Sequence, residues 1–154
     1  MSVGIGDKAP DFSLPGTGGR SHSLAEYAGR TVVVVFYPGD ETPVCTKQLV
    51  CYNNELAQFT DIGAQVLAIS AQDMASHEKF AAKHGFDFPL LSDTDKSVAG
   101  KYGTLGPLGF PRRSVFVVDG SGVIRYAHRA IAGLTFRPVD ELVAAVRDAG
   151  GGIN

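Results

Sequence analysis

The sequence has few of the features that mark a membrane protein or a nucleic-acid-binding protein. It contains only two cysteines and no tryptophan. No apolar run approaches the ~20 residues that a helix needs to cross a bilayer. The formal net charge is -2 at pH 7, whereas a protein that binds nucleic acid usually presents a basic face. We therefore expect neither a membrane span nor a nucleic-acid partner.

The first residues also lack the pattern of a secretory signal. The segment MSVGIGDKAPDF (1–12) has neither a basic n-region nor an apolar h-region. We therefore expect a cytoplasmic protein. In that compartment two cysteines are more often reactive or inert thiols than a permanent crosslink.

The chain does contain enough apolar residues for one sizeable core. Of its 154 residues, 44% are hydrophobic and 19% are charged, a balance that argues against disorder. It has no internal repeat, linker or low-complexity tract. We therefore expect a single domain over residues 1–154.

The order of strand and helix signals predicts an α/β fold. The expected elements are an N-terminal hairpin (9–24), strands at 32–36, 65–70, 113–118 and 123–128, a short edge segment at 88–92, and helices at 43–61, 74–84, 95–102 and 138–149. Strand–helix–strand connections imply parallel neighbouring strands with right-handed crossovers. We therefore expect a mixed central sheet with helices on both faces. Pro89 is the reason to place 88–92 at an edge, because proline cannot donate to a strand ladder.

The most informative stretch begins with the apolar run Val32–Phe36. Such a run favours a strand buried on both faces. Pro38 and Gly39 end this strand. Thr42 then stands where it can cap a helix, and Pro43 occupies the first helical position, where a missing N–H does no harm.

Cys45 falls in the first turn of that predicted helix. Unpaired backbone N–H groups and the helix dipole stabilise negative charge there. We therefore expect its thiol to ionise more easily than one in open solvent. The position also lies at the carboxyl edge of the predicted sheet, where α/β folds bind ligands.

Several segments resemble the peroxiredoxin family. Pro38-x-x-x-Thr42-x-x-Cys45 resembles its active-site motif, and Cys45-Thr46-Lys47-Gln48-Leu49 resembles the bacterioferritin-comigratory (PrxQ) branch. GDKAPDF (6–12) is similar to the family's opening, and RSVFVVD (113–119) to its later strand. The resemblance covers nearly the whole chain. It implies a thioredoxin-like fold and thiol-dependent reduction of hydrogen peroxide or small organic hydroperoxides.

The same resemblance implies a role for each site residue. Cys45 is the nucleophile, whose thiolate attacks one peroxide oxygen and becomes a sulfenic acid. Arg113 stabilises the thiolate. Together with the Thr42 hydroxyl and the Cys45 backbone N–H, it donates to the departing oxygen. Pro38 shields the site from bulk water. The expected partners are a peroxide and a thioredoxin-like or low-molecular-weight thiol reductant. No cofactor is implied, and the protein is expected to be a monomer or a homodimer.

Each of these residues also has a purely structural interpretation. Cys45 could be a small buried hydrophobe, and Thr42 only a helix cap. Arg113 could be a surface charge in a salt bridge, although its neighbour Arg112 is the better candidate to face solvent. Pro38 could merely end a strand.

Cys51 departs from the pattern of the PrxQ branch. In that branch a resolving cysteine often lies five residues after the reactive one, and here that position is Val50. Six residues of intact helix rise ~9 Å and turn ~240°, whereas a disulfide needs Cα atoms within about 7 Å. Cys51 is therefore either a resolving cysteine that requires the helix to unwind or a packing residue. We favour a mechanism in which an external thiol reduces the sulfenic acid on Cys45.

Other sites and functions have less support. The four histidines are His22, His77, His84 and His128, and their spacing does not indicate metal ligands. We expect no metal site, and we expect His77 and His84 to lie on one exposed helix. A thioredoxin-like disulfide reductase would carry Cys-x-x-Cys, but the third residue after Cys45 is Gln48. The other alternative is a non-enzymatic peroxide sensor or a thioredoxin-fold binding module, in which oxidation of Cys45 is only a signal.

Overall fold

The computed structural model describes residues 3–40, 42–106, 109, 111–130 and 137–150. The strands in this part of the chain are β1 (Ser13–Gly16), β2 (Arg20–Ser23), β3 (Val32–Phe36), β4 (Gln65–Ser70), β5 (Leu90–Ser92), β6 (Ser114–Val118) and β7 (Ile124–Arg129). The helices are α1 (Pro43–Asn54), α2 (Leu56–Thr60), α3 (Met74–His84), α4 (Ser97–Lys101) and α5 (Val139–Gly150). The strands form one sheet in the order β2-β1-β5-β4-β3-β6-β7.

Strand β3 lies in the interior of this sheet, as its apolar sequence predicts. All of its residues are buried. It pairs parallel with β4 and antiparallel with β6, and β4 pairs parallel with β5. The N-terminal hairpin is confirmed and joins the same sheet, because β1 pairs antiparallel with both β2 and β5. The predicted mixed sheet is therefore confirmed.

Alternating side chains of the sheet divide the core into two layers. One layer includes Val33 and Val35 of β3 and packs against α1, α2, α3 and α5. The other includes Val34 and Phe36 and packs against α4 and the segment before β3. Helices therefore cover both faces, although most of them lie on the face that carries Cys45.

The predicted helix 43–61 is wrong in one respect, since the structure divides it at Glu55. Helix α1 ends at Asn54 and α2 begins at Leu56. Asparagine side chains compete with the helical backbone for hydrogen bonds. The Asn53 amide donates to the carbonyl of Gly85 and accepts from the N–H of Asp87. The end of α1 is thus fixed to the loop after α3.

The prediction that residues 88–92 form an edge segment is also wrong. Strand β5 lies between β4 and β1. Pro89 precedes the strand, so its missing N–H does not interrupt the ladder. Its carbonyl still accepts from the N–H of Ala68, at 3.2 Å. The hairpin strand β2 and the late strand β7 are the edges instead.

Helix α3 has the ends that its sequence predicts. The Asp73 carboxylate accepts from the backbone N–H of Ser76 at 2.9 Å. Gly85 follows the helix with φ of 65°, a left-handed conformation that glycine adopts without strain. Among the described residues, no helix is both long and apolar enough to cross a membrane.

Candidate active site

Cys45 is the third residue of α1, directly after the loop 37–42 that leaves β3. The first intrahelical hydrogen bond runs from the N–H of Thr46 to the carbonyl of Thr42, at 2.8 Å. The N–H of Cys45 precedes this bond and has no carbonyl one turn back in the helix. The Cys45 side chain is fully buried. A sulfur at this place lies in the positive field of the helix N-terminus.

Arg113 brings a cation to this sulfur. Its Nη1 donates to Cys45 Sγ at 3.1 Å and to Gln48 Oε1 at 2.8 Å. Arg113 immediately precedes β6, and the antiparallel register pairs Ser114 with Phe36. The register therefore places Arg113 at the sheet edge where β3 ends. The side chain is only 4% exposed, which excludes the surface-charge interpretation.

Gln48 is a residue of this site that its sequence position alone did not single out. It is fully buried, one turn after Cys45 on the same face of α1. Its Nε2 donates to the Tyr52 hydroxyl at 3.3 Å, and that hydroxyl donates to the carbonyl of Arg137 at 2.8 Å. A guanidinium can only donate, so the Gln48 carbonyl oxygen must face Arg113. A polar residue within the apolar stripe of Leu49 and Tyr52 was the available signal.

The Tyr52 hydroxyl remains protonated in this network. Burial raises the pKa of Tyr52 to about 12. The phenol therefore keeps its hydrogen at neutral pH and holds the Gln48 amide in one orientation. The result is a fixed series of hydrogen bonds that ends at the Arg113 guanidinium.

These surroundings place a positive charge beside the sulfur. A guanidinium keeps its charge when it is buried. Arg113 Nη1 lies 3.1 Å from Cys45 Sγ, where it can stabilise negative charge that moves between the sulfur and a neighbouring atom during a reaction. Contact with Arg113 thus distinguishes Cys45 from a cysteine that only fills space.

Thr42 occupies the N-cap position, but its side chain does not cap the helix. Its backbone is extended, with φ of -79° and ψ of 147°. Its hydroxyl donates to the carbonyl of Gly39 at 3.1 Å, so the prediction of a side-chain cap is wrong. The bond closes the turn of the 37–42 loop. Thr42 is exposed and Pro38 is half-buried, and both lie on the short connection between β3 and Cys45.

A second buried polar cluster lies behind this loop. Tyr37 donates to Asp40 Oδ1 at 2.6 Å, and His77 Nδ1 lies 2.7 Å from Asp40 Oδ2. Tyr37 and His77 are fully buried. The prediction of an exposed His77 is wrong, because α3 turns this residue towards the sheet. In the described part of the chain, no group of three or more His, Cys, Asp and Glu side chains is placed to hold a metal ion.

Cys51 lies on the same helix as Cys45 and does not share its surroundings. It is half-buried against the core layer that contains Cys45. Both residues belong to the unbroken helix α1. The folded helix therefore keeps the two sulfurs apart, as its geometry requires.

Comparison with known proteins identifies the family. The model of the AhpC/TSA family matches residues 5–127. A chloroplastic peroxiredoxin Q of Oryza sativa subsp. japonica is 41% identical over 128 residues, which are 82% of this chain and 59% of that protein. One from Arabidopsis thaliana is 42% identical over 125 residues, or 80% of this chain and 58% of that protein. The chain therefore spans less than two thirds of the length of these plant relatives.

Solved structures show the same relationship over most of their length. Xanthomonas campestris peroxiredoxin Q has a TM-score of 0.81 and 31% identity, over 89% of this chain and 90% of that one. The peroxidoxin BcpB of Mycobacterium tuberculosis has a TM-score of 0.84 and 31% identity, over 94% and 96%. Mycobacterium bovis AhpC, with 24% identity and a TM-score of 0.88, shares the fold. This chain belongs to the AhpC/TSA family, the peroxiredoxins, has the thioredoxin-like fold and is similar to the peroxiredoxin Q branch.

Proposed function

We propose that the protein is a thiol-dependent peroxidase that reduces hydrogen peroxide and small organic hydroperoxides. One observation carries the proposal: the 3.1 Å contact between Arg113 Nη1 and the Cys45 sulfur at a helix N-terminus. Alkyl peroxide reduction activity is attributed to the Xanthomonas campestris bacterioferritin comigratory protein, which is 30% identical to this chain with a TM-score of 0.81.

The oxidation step follows from the charges at the site. The Cys45 thiolate attacks one peroxide oxygen, a sulfur–oxygen bond forms and the oxygen–oxygen bond breaks. The sulfur loses two electrons and becomes a sulfenic acid. The departing hydroxide or alkoxide takes up a proton and leaves as water or alcohol. Negative charge moves from the sulfur to that oxygen, so a cation beside both atoms stabilises the transition state.

Several groups at the site can bind the peroxide and stabilise the departing oxygen. Arg113 is the charged donor, and the Cys45 backbone N–H is a second one. The Thr42 hydroxyl hydrogen is engaged by Gly39, so its oxygen is available to accept the O–H of an incoming peroxide. Pro38 removes one N–H from the edge of the site and limits access of water. The exposed position of Thr42 suits a residue that meets substrate first.

Turnover requires a second thiol. A thiol attacks the sulfenic acid and releases water, and a further thiol reduces the mixed disulfide and restores Cys45. We assign both steps to an external thioredoxin-like or low-molecular-weight thiol. The support is the separation of Cys51 from Cys45 along α1. We further propose that the protein works in a reducing compartment such as the cytoplasm, which subcellular fractionation tests.

Peroxide consumption tests this function directly. Purified protein with excess dithiol should consume many equivalents of peroxide, and Cys45→Ser should abolish consumption. Cys51→Ser is the matched control, since it removes the other thiol from the same helix. Consumption of only one equivalent by the wild type would support a sensor. Full activity in Cys45→Ser would exclude the proposed nucleophile.

A further inference from the structure

The loop that leads into the helix of Cys45 is held by a buried cluster that the proposed chemistry does not use. Asp40, which is 8% exposed, lies at the centre of the 37–42 loop. Its carboxylate accepts from Tyr37 at Oδ1, from the Ser76 hydroxyl at 2.7 Å and from His77 Nδ1 at 2.7 Å, both at Oδ2. Its backbone N–H donates to Gln72 Oε1 at 2.5 Å. Ser76 and His77 belong to α3, and Gln72 belongs to the segment that links β4 to α3.

The hydrogen bonds of His77 determine where its protons lie. Its Nε2 lies 2.9 Å from the carbonyl oxygen of Leu91, which can only accept, so Nε2 carries a hydrogen. Its Nδ1 faces a carboxylate oxygen at 2.7 Å, so a proton lies between these two atoms as well. Both ring nitrogens of His77 therefore face acceptor oxygens. Burial raises the pKa of Asp40, but hydrogen bonds from His77, Tyr37 and Ser76 outweigh burial and lower it.

Stability alone is a weak reason for this arrangement. The side chains of His77 and Asp40 are 0% and 1% exposed. A buried ion pair loses much of its attraction to desolvation, and apolar residues of similar volume often replace such a pair without loss of stability. Such a pair does fix the relative position of the two segments that carry it. Here it holds the 37–42 loop against α3.

Contacts of the loop lead from this pair to the sulfur. Thr42 accepts the first hydrogen bond of α1, so the loop sets where the helix that carries Cys45 begins. Gly39 lies so close to Gln72 that an added Cβ would come within 3.0 Å of its Oε1. Tyr37 donates to Asp40 and belongs to the same core layer as Cys45. Burial, followed by the charges of Asp40 and Cys45, raises its pKa well above the usual value, so its hydroxyl stays a donor.

We propose that His77 is a positioning residue for the peroxidase reaction. Through Asp40, it fixes the 37–42 loop so that the Cys45 sulfur stays in contact with Arg113. This inference rests on the proposed peroxidase function. It assigns to α3 a part in catalysis, although no residue of α3 touches the reacting atoms.

Two reactions of the same sulfur distinguish positioning from ionisation. Peroxide attack needs the donors around the departing oxygen to be aligned, whereas alkylation by iodoacetamide needs only an accessible thiolate. We would measure both second-order rate constants on reduced protein, in a Cys51→Ser background so that only Cys45 reports. A change in thiolate fraction moves both constants together. Misplacement of the loop moves the ratio of the peroxide constant to the alkylation constant.

His77→Ala should lower this ratio by up to about 10²-fold, the loss that a displacement of about 1 Å can cause. Asp40→Ala should do the same. Asp40→Asn should keep the ratio near the wild-type value, because its amide can donate to His77 Nδ1 and Ser76 Oγ and still accept from Tyr37. His84→Ala is the matched control, because it removes a histidine of the same helix that stacks on Phe86. It should leave the ratio unchanged.

Circular dichroism would verify that each variant is folded. Where His77→Ala does not fold, Ser76→Ala removes a single hydrogen bond from Asp40 and should lower the ratio to a smaller extent. An unchanged ratio in the folded alanine variants would overturn the role of His77. A ratio that falls as far in Asp40→Asn as in Asp40→Ala would overturn it too. Failure of the function itself would look different, since the wild type would then react with peroxide no faster than a free thiol.

Discussion

Replacement of Arg113 by methionine tests the charge relationship on which the proposed chemistry depends. Methionine retains much of the length and apolar character of arginine but cannot donate to Cys45 Sγ or to Gln48 Oε1. One donor to a developing oxyanion is typically worth about 3 kcal/mol, which is about 10²–10³ in rate. We therefore expect the rate constant for peroxide attack to fall by about that factor.

The same variant should also destabilise the fold. The Gln48 oxygen would be left buried without this partner, at a cost of about 1–3 kcal/mol in the free energy of unfolding. The kinetic and stability effects are separate and are measured separately.

Stopped-flow oxidation and urea unfolding are the two assays. Arg112→Met is the matched control, because Arg112 is the neighbouring arginine and is only half-buried. It should not change the rate constant appreciably. If Arg113→Met reacts as fast as the wild type, Arg113 has no part in activating the sulfur and our account of the site is wrong.

Three further predictions concern neighbouring groups. Gln48→Leu should slow peroxide attack by roughly tenfold and destabilise the fold by about 1–3 kcal/mol, as stopped-flow and urea unfolding would show; an unaffected rate would exclude a role in orienting Arg113. After one equivalent of peroxide, intact-mass analysis should show a gain of one oxygen, or an adduct with added thiol, whereas a loss of two hydrogens within the monomer would show that Cys51 resolves Cys45. Hydrogen bonds from Arg137 and Tyr126 lower the pKa of Glu141 from 4.5 to about 2. Because the pKa of Glu141 is lower in the folded state, its ionised carboxylate stabilises the protein at pH above the unfolded-state pKa, and this stabilisation is lost as pH falls towards the folded-state pKa. The difference in urea midpoint between the wild type and Glu141→Gln should therefore shrink between pH 4.5 and about 2. A difference that stays constant over this range would contradict the ion pair.

The sheet and its order could be predicted because local signals agree with one another. Val32–Phe36 is apolar throughout and is buried throughout, and Asp73 and Gly85 end α3 as their residue types suggest. The position of Cys45 follows from the same rules. The position of β5 did not follow, because its neighbour β1 is distant in sequence and only the tertiary structure shows that the hairpin covers that side.

The details of the site depended on partners that sequence spacing does not reveal. The Thr42 hydroxyl could accept from a backbone N–H of the helix or donate to the carbonyl of Gly39. The conformation of the loop favours the bond to Gly39. The sequence around Gln48 does not indicate its hydrogen bond with Arg113, which immediately precedes β6. His77 looks like a surface residue of a charged helix, and only the approach of Asp40 explains why it is buried. Residue types could thus be assigned to the site, but the directions of their hydrogen bonds could not.

The register between β3 and β6 affects how well the distance between Cys45 and Arg113 is kept on heating. Phe36 pairs with Ser114, so the segments that lead to Cys45 and Arg113 leave neighbouring rungs of the same ladder. Central strands are usually the last part of a domain to exchange their amide hydrogens. The distance between Cys45 and Arg113 is therefore set by the central strands, which should be the last part of the domain to unfold. Warming should fray the hairpin well before it alters the distance on which reactivity depends.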